Sequence, residues 1–319
     1  MHASTQSMPA APDLYELYCP FASGINPHVD LAQSRSVQWA REVGLIGDER
    51  ALVRLDHARV AHLSALVFRT ASLEVLELVA QWTTLFCILD DHIESRRTGT
   101  MQLAAYLGSL LSGFESPGDV SGDCVRRAFG SLKTSLLELG GEHLATRFAA
   151  ELERLFDGYL WEEFYRQTNS IPDFGAYRAI RLVTIGLRPQ FLLSELEGHR
   201  DATREVRMHP AIVAMEDSTC RAVGWANDIF THAKELELGE PHNLVGVLML
   251  AQSLSRRQAV DRALALHDGE VSSLLHAAAR LPDFGVLEEA ARLHIQHLQH
   301  WIRGHLDWAV QTGRYSPRP

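Results

Sequence analysis

Apolar residues recur at every third or fourth position along most of this chain, and the two-residue alternation that marks a strand is nearly absent. The segment 72–93 carries Leu73, Val75, Leu76, Leu78, Val79, Trp82, Leu85 and Phe86 on one broad helix face. The same spacing predicts helices over 125–139, 144–165, 174–196, 210–238, 256–279 and 287–310. Helix-breaking residues sit between them. Gly140-Gly141 should end one helix, Ser116-Pro117-Gly118 and Ser121-Gly122 should fill a loop, and Gly239-Glu240-Pro241 should stop another. Pro172 suits the first turn of a helix, whereas Pro189, inside a helical pattern, predicts a break just before it. Long helices with one apolar face need one another to bury it, and no repeat or linker divides the chain. The expected architecture is all-α, one large helical domain over 1–319, with 1–19 a flexible leading segment and 316–319 a polar tail.

Composition narrows the partners. Of the 319 residues 46% are hydrophobic and 22% charged, an ordinary globular balance. A net charge of −10 argues against a nucleic-acid backbone as partner, so an anionic ligand would need metal ions or a local basic cluster. Cys19, Cys87, Cys124 and Cys220 are scattered without metal-type spacing and read as reduced thiols. There is no basic-then-apolar leader and no apolar run of about 18 residues, so a cytoplasmic protein without membrane insertion is expected.

Two polar clusters interrupt the apolar pattern. In Leu89-Asp90-Asp91-His92-Ile93-Glu94 the acidic residues are three or four apart, so all three can project to one side of a helix end. Carboxylate oxygens are the hard ligands that Mg²⁺ prefers, and like charges this close destabilise one another unless a cation or solvent compensates. A solvated acidic turn would show the same residues. Further on, Asn227, Thr231 and Glu235 step by four and stack an amide oxygen, a hydroxyl and a carboxylate on one face. That mixed oxygen set suits one Mg²⁺. A polar stripe facing water is the competing reading, against which Ala222, Val223, Trp225, Ala226, Ile229 and Phe230 supply surrounding apolar bulk.

Together the clusters resemble the metal-binding signature of bacterial class I terpene synthases, D-D-x-x-(D/E) followed well downstream by N-D-x-x-(S/T)-x-x-x-E. Asp90, Asp91 and Glu94 match the first motif, and Asn227, Thr231 and Glu235 the second, with Lys234 before the glutamate as bacterial members often have. Arg181 lies 46 residues before Asn227 (227 − 181) and resembles the family's diphosphate-sensing arginine. In the family that arginine is followed by a helix break presenting a backbone carbonyl, for which Ile185 and Gly186 are both candidates here. Arg314-Tyr315 is similar to the family's C-terminal Arg-Tyr pair, and Pro20 to His28 resembles its N-terminal strap. The resemblance spans about residues 20–315.

It implies a bundle with the active-site cavity at its centre, and a lyase that ionises a linear isoprenyl diphosphate and releases diphosphate. The product would be a cyclic or linear terpene hydrocarbon or alcohol. Farnesyl diphosphate is the first expected substrate, geranyl diphosphate the second, with geranylgeranyl diphosphate also in range. The resemblance further implies three Mg²⁺ ions per site, Mn²⁺ being a substitute. Arg181, Arg314 and Tyr315 would be catalytic, and these three with Lys234 would bind the diphosphate. An allylic cation needs a dry cavity with aromatic walls. Phe86, Cys220, Gly224 and Trp308 are candidates beside Ile185 and Gly186, while Phe68 is better read as core packing. Two other readings stand beside this one: a prenyl-chain-elongating synthase on the same fold, and a non-catalytic helical scaffold. Asn227 stands where elongating enzymes carry a second aspartate-rich motif, which favours cyclisation. Ile88, two before Asp90, breaks the D-x-D-D pattern of protonation-initiated cyclases. Helical enzymes of this type are often homodimers.

Overall fold

Every regular element among the described residues is helical, as the apolar spacing requires. The computed structural model describes residues 16–95, 99–115, 123–198, 200–238 and 242–315, without the side chains of Glu94, Ser95, 200–202 and 236–238. The α-helices run in order α1 (Val29–Glu42), α2 (Glu49–Ala58), α3 (Val60–Val67), α4 (Leu73–Ser95), α5 (Thr100–Glu115), α6 (Cys124–Gln167), α7 (Phe174–Thr184), α8 (Leu187–Leu193), α9 (Arg200–Arg207), α10 (Pro210–Leu238), α11 (Leu244–Ala251), α12 (Arg256–Ala278) and α13 (Glu288–Ala309). None is long and apolar enough to cross a membrane.

Packing closes six of these helices into a ring. α4 lies against α6, α6 against α7, α7 against α10, α10 against α13, α13 against α3, and α3 against α4. α1 and α5 cover its outside at α4 and α6, and α12 covers α10. One wall is an aromatic cluster of fully buried Trp82, Phe114, Phe129 and Phe148. Trp82 and Phe148 meet edge-on at 5.1 Å, and Phe114 stacks on Phe148 at 5.8 Å. On the opposite side Trp225 and Ile229 of α10 pack with Leu244, Val245 and Leu248 of α11 and Ala259 and Ala263 of α12. That second cluster buries the outer flank of α10, a 29-residue helix about 43 Å long at about 1.5 Å per residue.

Helix ends follow the chemistry of their caps. Asp48, Asp123, Asp173 and Asn243 accept backbone N–H groups at the starts of α2, α6, α7 and α11, and Ser255 with Gln258 forms a capping box for α12. Pro172 falls just ahead of the Asp173 cap. The Gly140-Gly141 break is real but small. The chain stays helical on both sides, with only Gly141 leaving helical geometry (φ 75°, ψ 175°), so the predicted 125–139 and 144–165 helices merge into α6. The 174–196 pattern divides into α7, α8 and a 3₁₀ turn at Ser194–Glu197, the break falling at Gly186. Pro189 is the third residue of α8, where its missing N–H has no helical partner to lose. α1, α2, α3, α5, α9 and α11 were not anticipated. α3 is buried all round, so it has no polar face to reveal a period.

Residues 16–28 run without helix as a strap. Asn26 pins it by donating to the carbonyls of Phe68 (2.8 Å) and Ala71 (2.9 Å). Residues 1–15 of the expected flexible segment, the expected breaks at 116–118, 121–122 and 239–241, and the 316–319 tail lie outside the described residues.

Candidate active site

Asp90 and Asp91 emerge near the end of α4 because its preceding turns aim Trp82, Leu85 and Leu89 into the core. Their side chains keep 31% and 46% exposure. Glu94 follows one turn on in the same helix, its side chain outside the described atoms. On α10, Asn227, Thr231 and Glu235 follow in successive turns, and Lys234, seven residues from Asn227, returns close to the same face. The stripe does not face water: Asp228 and Thr231 are buried, and Asn227 is partly so.

What joins the two clusters is a single turn after α13. Arg314 donates to Asp91 Oδ2 at 2.8 Å and to Asp90 Oδ2 at 3.1 Å. The next residue, Tyr315, accepts a 2.7 Å hydrogen bond from Asn227 Nδ2. Adjacent side chains therefore touch groups 137 residues apart (227 − 90). The turn is held from beneath. Trp308 Nε1 donates to the carbonyls of Ala58 (2.9 Å) and Arg59 (3.1 Å), Thr312 Oγ1 donates to Ala58 O at 2.8 Å, and the Arg314 N–H donates to Thr312 Oγ1 at 3.1 Å. Arg59, in the left-handed conformation (φ 48°), makes the α2–α3 corner that carries both carbonyls.

Arg181 enters from the last turn of α7. Its Nη2 donates to Asn227 Oδ1 at 2.7 Å and pairs with Asp228 Oδ1 at 2.9 Å. α7 stops three residues later because Gly186 takes φ 73° and the Phe86 ring leaves no space for a side chain there. A Cβ on Gly186 would fall 2.4 Å from Phe86 Cε2.

Carboxylate outweighs cation at this rim. Burial pushes the Asp90 carboxyl up to about 6, Asp91 and Glu162 adding to the effect and Arg314 opposing it. Burial likewise drives Asp228 well above the usual carboxylate range, with Glu235 and Glu162 adding and the Leu244 N–H opposing. Such a site gains free energy from bound cations, and its carboxylate, amide and hydroxyl oxygens suit a hard divalent ion. Among the described residues no three His, Cys, Asp or Glu side chains gather into a finished metal cage. An ion that keeps water and phosphate oxygens in most of its positions does not need one.

Comparison with known proteins decides the family. The family model described as terpene synthase family 2, C-terminal metal binding, matches residues 81–273, more than half the chain. The chain belongs to the terpene synthase family. It is 27% identical over 307 residues to the (+)-T-muurolol synthase of Roseiflexus castenholzii, covering 94% of this chain and 93% of that one. It is 28% identical to the germacrene A synthase of Nostoc punctiforme, covering 94% of each. A linalool/nerolidol synthase structure from Streptomyces clavuligerus shares the fold with a TM-score of 0.81 at 23% identity, over 92% of this chain and 100% of that chain. The protein is thus a bacterial-type class I terpene synthase, a metal-binding lyase that acts on a prenyl diphosphate.

In this enzyme the sequence-predicted wall residues separate into two groups. Phe86, Ile185, Gly186 and Gly224 gather around Arg181: a Cβ on Gly224 would lie 3.4 Å from Arg181 Cγ and 3.7 Å from Ile185 Cγ1. Cys220, one turn before Gly224, is fully buried in the core, and burial pushes its thiol up to about 12, so it stays neutral. Trp308 instead supports the C-terminal turn, its ring edge-on to Tyr315 at 5.3 Å. Phe68 is core, edge-on to His297. A lateral cleft of about 710 Å³ between α6 and α7, lined by Trp161, Tyr165, Ile180 and Val183, contains none of the predicted wall residues.

Sequence reasoning assigned no role to four residues that shape the rim. Asp228 holds Arg181 and accepts the Leu244 N–H at 2.9 Å. Asn243 donates to Glu235 Oε2 at 2.8 Å and to Asp228 O at 2.9 Å. Glu162 brings a charge from α6, and His305 Nε2 lies 3.2 Å from the Tyr315 hydroxyl. Asp228 stood inside the N-D-x-x-(S/T)-x-x-x-E motif, and Asn243 carried a readable signal of its own, a capping residue directly before the apolar run of α11.

Proposed function

We propose that this terpene synthase is a Mg²⁺-dependent cyclase whose substrate is farnesyl diphosphate. The observation that carries the site is the Arg314-Tyr315 turn, which touches Asp90 and Asp91 with one side chain and Asn227 with the next. Curated relatives with farnesyl diphosphate in their names, the T-muurolol and 4-epi-cubebol synthases, support the choice of chain length.

Asp90, Asp91 and Glu94 on one side and Asn227, Thr231 and Glu235 on the other would hold three Mg²⁺ ions, Mn²⁺ serving as a substitute. Bound there, these ions neutralise the diphosphate and make it a better leaving group. Arg181, Lys234, Arg314 and Tyr315 bind and orient the same diphosphate, and the fixed cationic donors of Arg181, Lys234 and Arg314 aimed at the departing oxygens account for most of the rate. Arg314 is already desolvated against two carboxylates and Arg181 against Asp228, so both present charge without reorganising bulk water. When the carbon–oxygen bond breaks, its electron pair leaves with the diphosphate and an allylic cation remains. Phe86 offers that cation a π-face, and the neutral wall of Ile185, Gly186 and Gly224 offers it no nucleophile. The cation then loses a proton or captures water to give a terpene hydrocarbon or alcohol. The reading includes a cytoplasmic homodimer, which light scattering of the purified enzyme tests.

Gas chromatography of products formed from farnesyl diphosphate alone, with Mg²⁺ or with chelator, tests the function. A terpene that forms only with metal is expected, with geranyl diphosphate a poorer substrate. Turnover that requires added isopentenyl diphosphate would mean chain elongation instead. Unchanged Mg²⁺-dependent diphosphate binding in Asp90→Ala and Asn227→Ala, by calorimetry, would remove the site.

A further inference from the structure

The α13 residue His305 belongs to no cluster found in the sequence, yet it is the buried side chain directly behind Tyr315. It is 3% exposed, with its Nε2 3.2 Å from the Tyr315 oxygen. The phenol oxygen meanwhile receives an N–H of the Asn227 amide at 2.7 Å. Among the described residues Tyr315 has no other acceptor for its own proton, so the His305 lone pair is where that proton goes. A phenol that donates backwards must accept forwards. Its lone pair then selects the NH₂ end of Asn227, and the amide oxygen turns to the other side, where Arg181 Nη2 meets it at 2.7 Å.

His305 can accept that proton because its ring is neutral. Burial holds the His305 imidazole down to about 3, with His267 and Arg181 adding to the effect, so the ring is neutral and its hydrogen-bond sense is a choice of tautomer. His267 on α12 is fully buried and its Nδ1 lies 3.0 Å from Asp268 Oδ1, an acceptor, which leaves its Nε2 as a lone pair. Among the described residues neither His267 Nε2 nor His305 Nδ1 has a hydrogen-bond partner. The neutral Nδ1–H tautomer of His305 leaves Nε2 as the lone pair that faces the Tyr315 hydroxyl.

We propose that His305 is a positioning residue for the metal site: by accepting the Tyr315 proton it fixes the Asn227 amide with its oxygen toward the metal-binding face. A freely rotating phenol could donate to Asn227 Oδ1 instead, turning the NH₂ group where a cation needs an oxygen. This inference rests on the proposed reading of Asn227 as a metal ligand.

Four variants test it: His305→Leu, which removes the acceptor; His305→Gln, which keeps one near the Nε2 position; Tyr315→Phe; and the double variant His305→Leu/Tyr315→Phe. Three quantities are measured for each: the thermal midpoint, the Mg²⁺ concentration for half-maximal turnover, and calorimetric binding of inorganic diphosphate at fixed Mg²⁺. His305→Leu should raise the half-saturating Mg²⁺ and weaken diphosphate binding by about tenfold, the scale of one lost hydrogen bond. His305→Gln should restore both to within about twofold. In the Tyr315→Phe background His305→Leu should change neither further. Equal effects of His305→Leu in both backgrounds, or a lowered midpoint with unchanged Mg²⁺ dependence, would overturn the proposal. Asn227→Ala separates the two levels. If it leaves Mg²⁺-dependent diphosphate binding intact, the metal-site reading itself fails; if it abolishes binding while His305→Leu is silent, only the positioning role fails.

Discussion

Glu216 and Asn227 lie on the same helix, α10, eleven residues apart (227 − 216), or about 16 Å along its axis. Around Glu216 buried charges are matched. Arg147 forks onto both oxygens of Glu195 at 2.7 Å, and Arg207 reaches Glu195 at 3.0 Å and Glu216 at 2.6 Å. His294 Nε2 completes the network 2.9 Å from Glu216. Although burial alone would raise it, these partners hold the Glu216 carboxyl down to about 2. At the rim the same residue types are arranged to opposite effect, and Asp90 and Asp228 are pushed up. Acidic residues and arginines occur at both ends, so their presence alone cannot tell a clamp from a binding site. The balance around each carboxyl differs: at Glu216 Arg207 and His294 outweigh burial, whereas at Asp90 and Asp228 burial and neighbouring carboxylates outweigh the nearby arginines.

The largest expected effect comes from removing charge at the unmatched end. Asp90→Asn should lower turnover by about 10²–10³-fold, the scale seen when one electrostatic element of a catalytic site is lost. The metal-free protein should unfold at the same temperature or a higher one, because a partly buried, repelled charge has gone. A clear fall in the thermal midpoint would mean that Asp90 is a structural partner of Arg314, and the comparison would break. Glu216→Gln should do the reverse. It leaves Arg207 partly uncompensated, costs about 3 kcal/mol of stability, and leaves turnover per folded molecule unchanged. Denaturant unfolding paired with steady-state kinetics reads both.

Acid should separate the two ends within one experiment. The native carboxyl of Glu216 lies below its unfolded value of 4.5, so its stabilisation is complete above that pH and is lost as the pH falls toward 2. A difference of that size is worth about 3 kcal/mol. Asp90 has the opposite sign, with a native carboxyl near 6 against 3.8 unfolded. Its destabilisation is complete above pH 6 and is relieved as the pH falls from 6 to 4. The midpoint of chelator-treated enzyme should therefore hold or rise between pH 6 and 4.5, then drop. Asp90→Asn should flatten the first part, and Glu216→Gln should soften the second.

Much of this was legible in the chain. The 210–238 spacing matches α10 as built, because a long helix with one continuous buried flank repeats its period for eight turns. Residues stepping by four on it were bound to share a face. The convergence was not legible, since Arg314 meets Asp91 across 223 residues, held there in part by the Trp308 and Thr312 bonds to the α2–α3 corner. Asp228 shows why partners are harder to read than ligands. It sits inside a recognised motif, but its burial and its grip on Arg181 depend on how α7 and α11 pack against α10, which no local pattern encodes.

Asn243 offers the finest test of the charge comparison, because it serves the unmatched end twice: it caps α11 and donates one side-chain hydrogen bond to Glu235 and another to the Asp228 carbonyl. Asn243→Ala removes cap and donor together and should cost about 1 kcal/mol, the usual value of a lost N-cap. Asn243→Asp keeps an equally good cap but replaces the donor to Glu235 with a second negative group beside it. If carboxylate is already in excess there, the aspartate variant should be the less stable of the two in chelator, despite its better cap. Mg²⁺ with inorganic diphosphate should then raise its thermal midpoint more than that of the alanine variant. The reverse order of stabilities would show that the rim tolerates further negative charge, and the proposed imbalance at the α10 end would not hold.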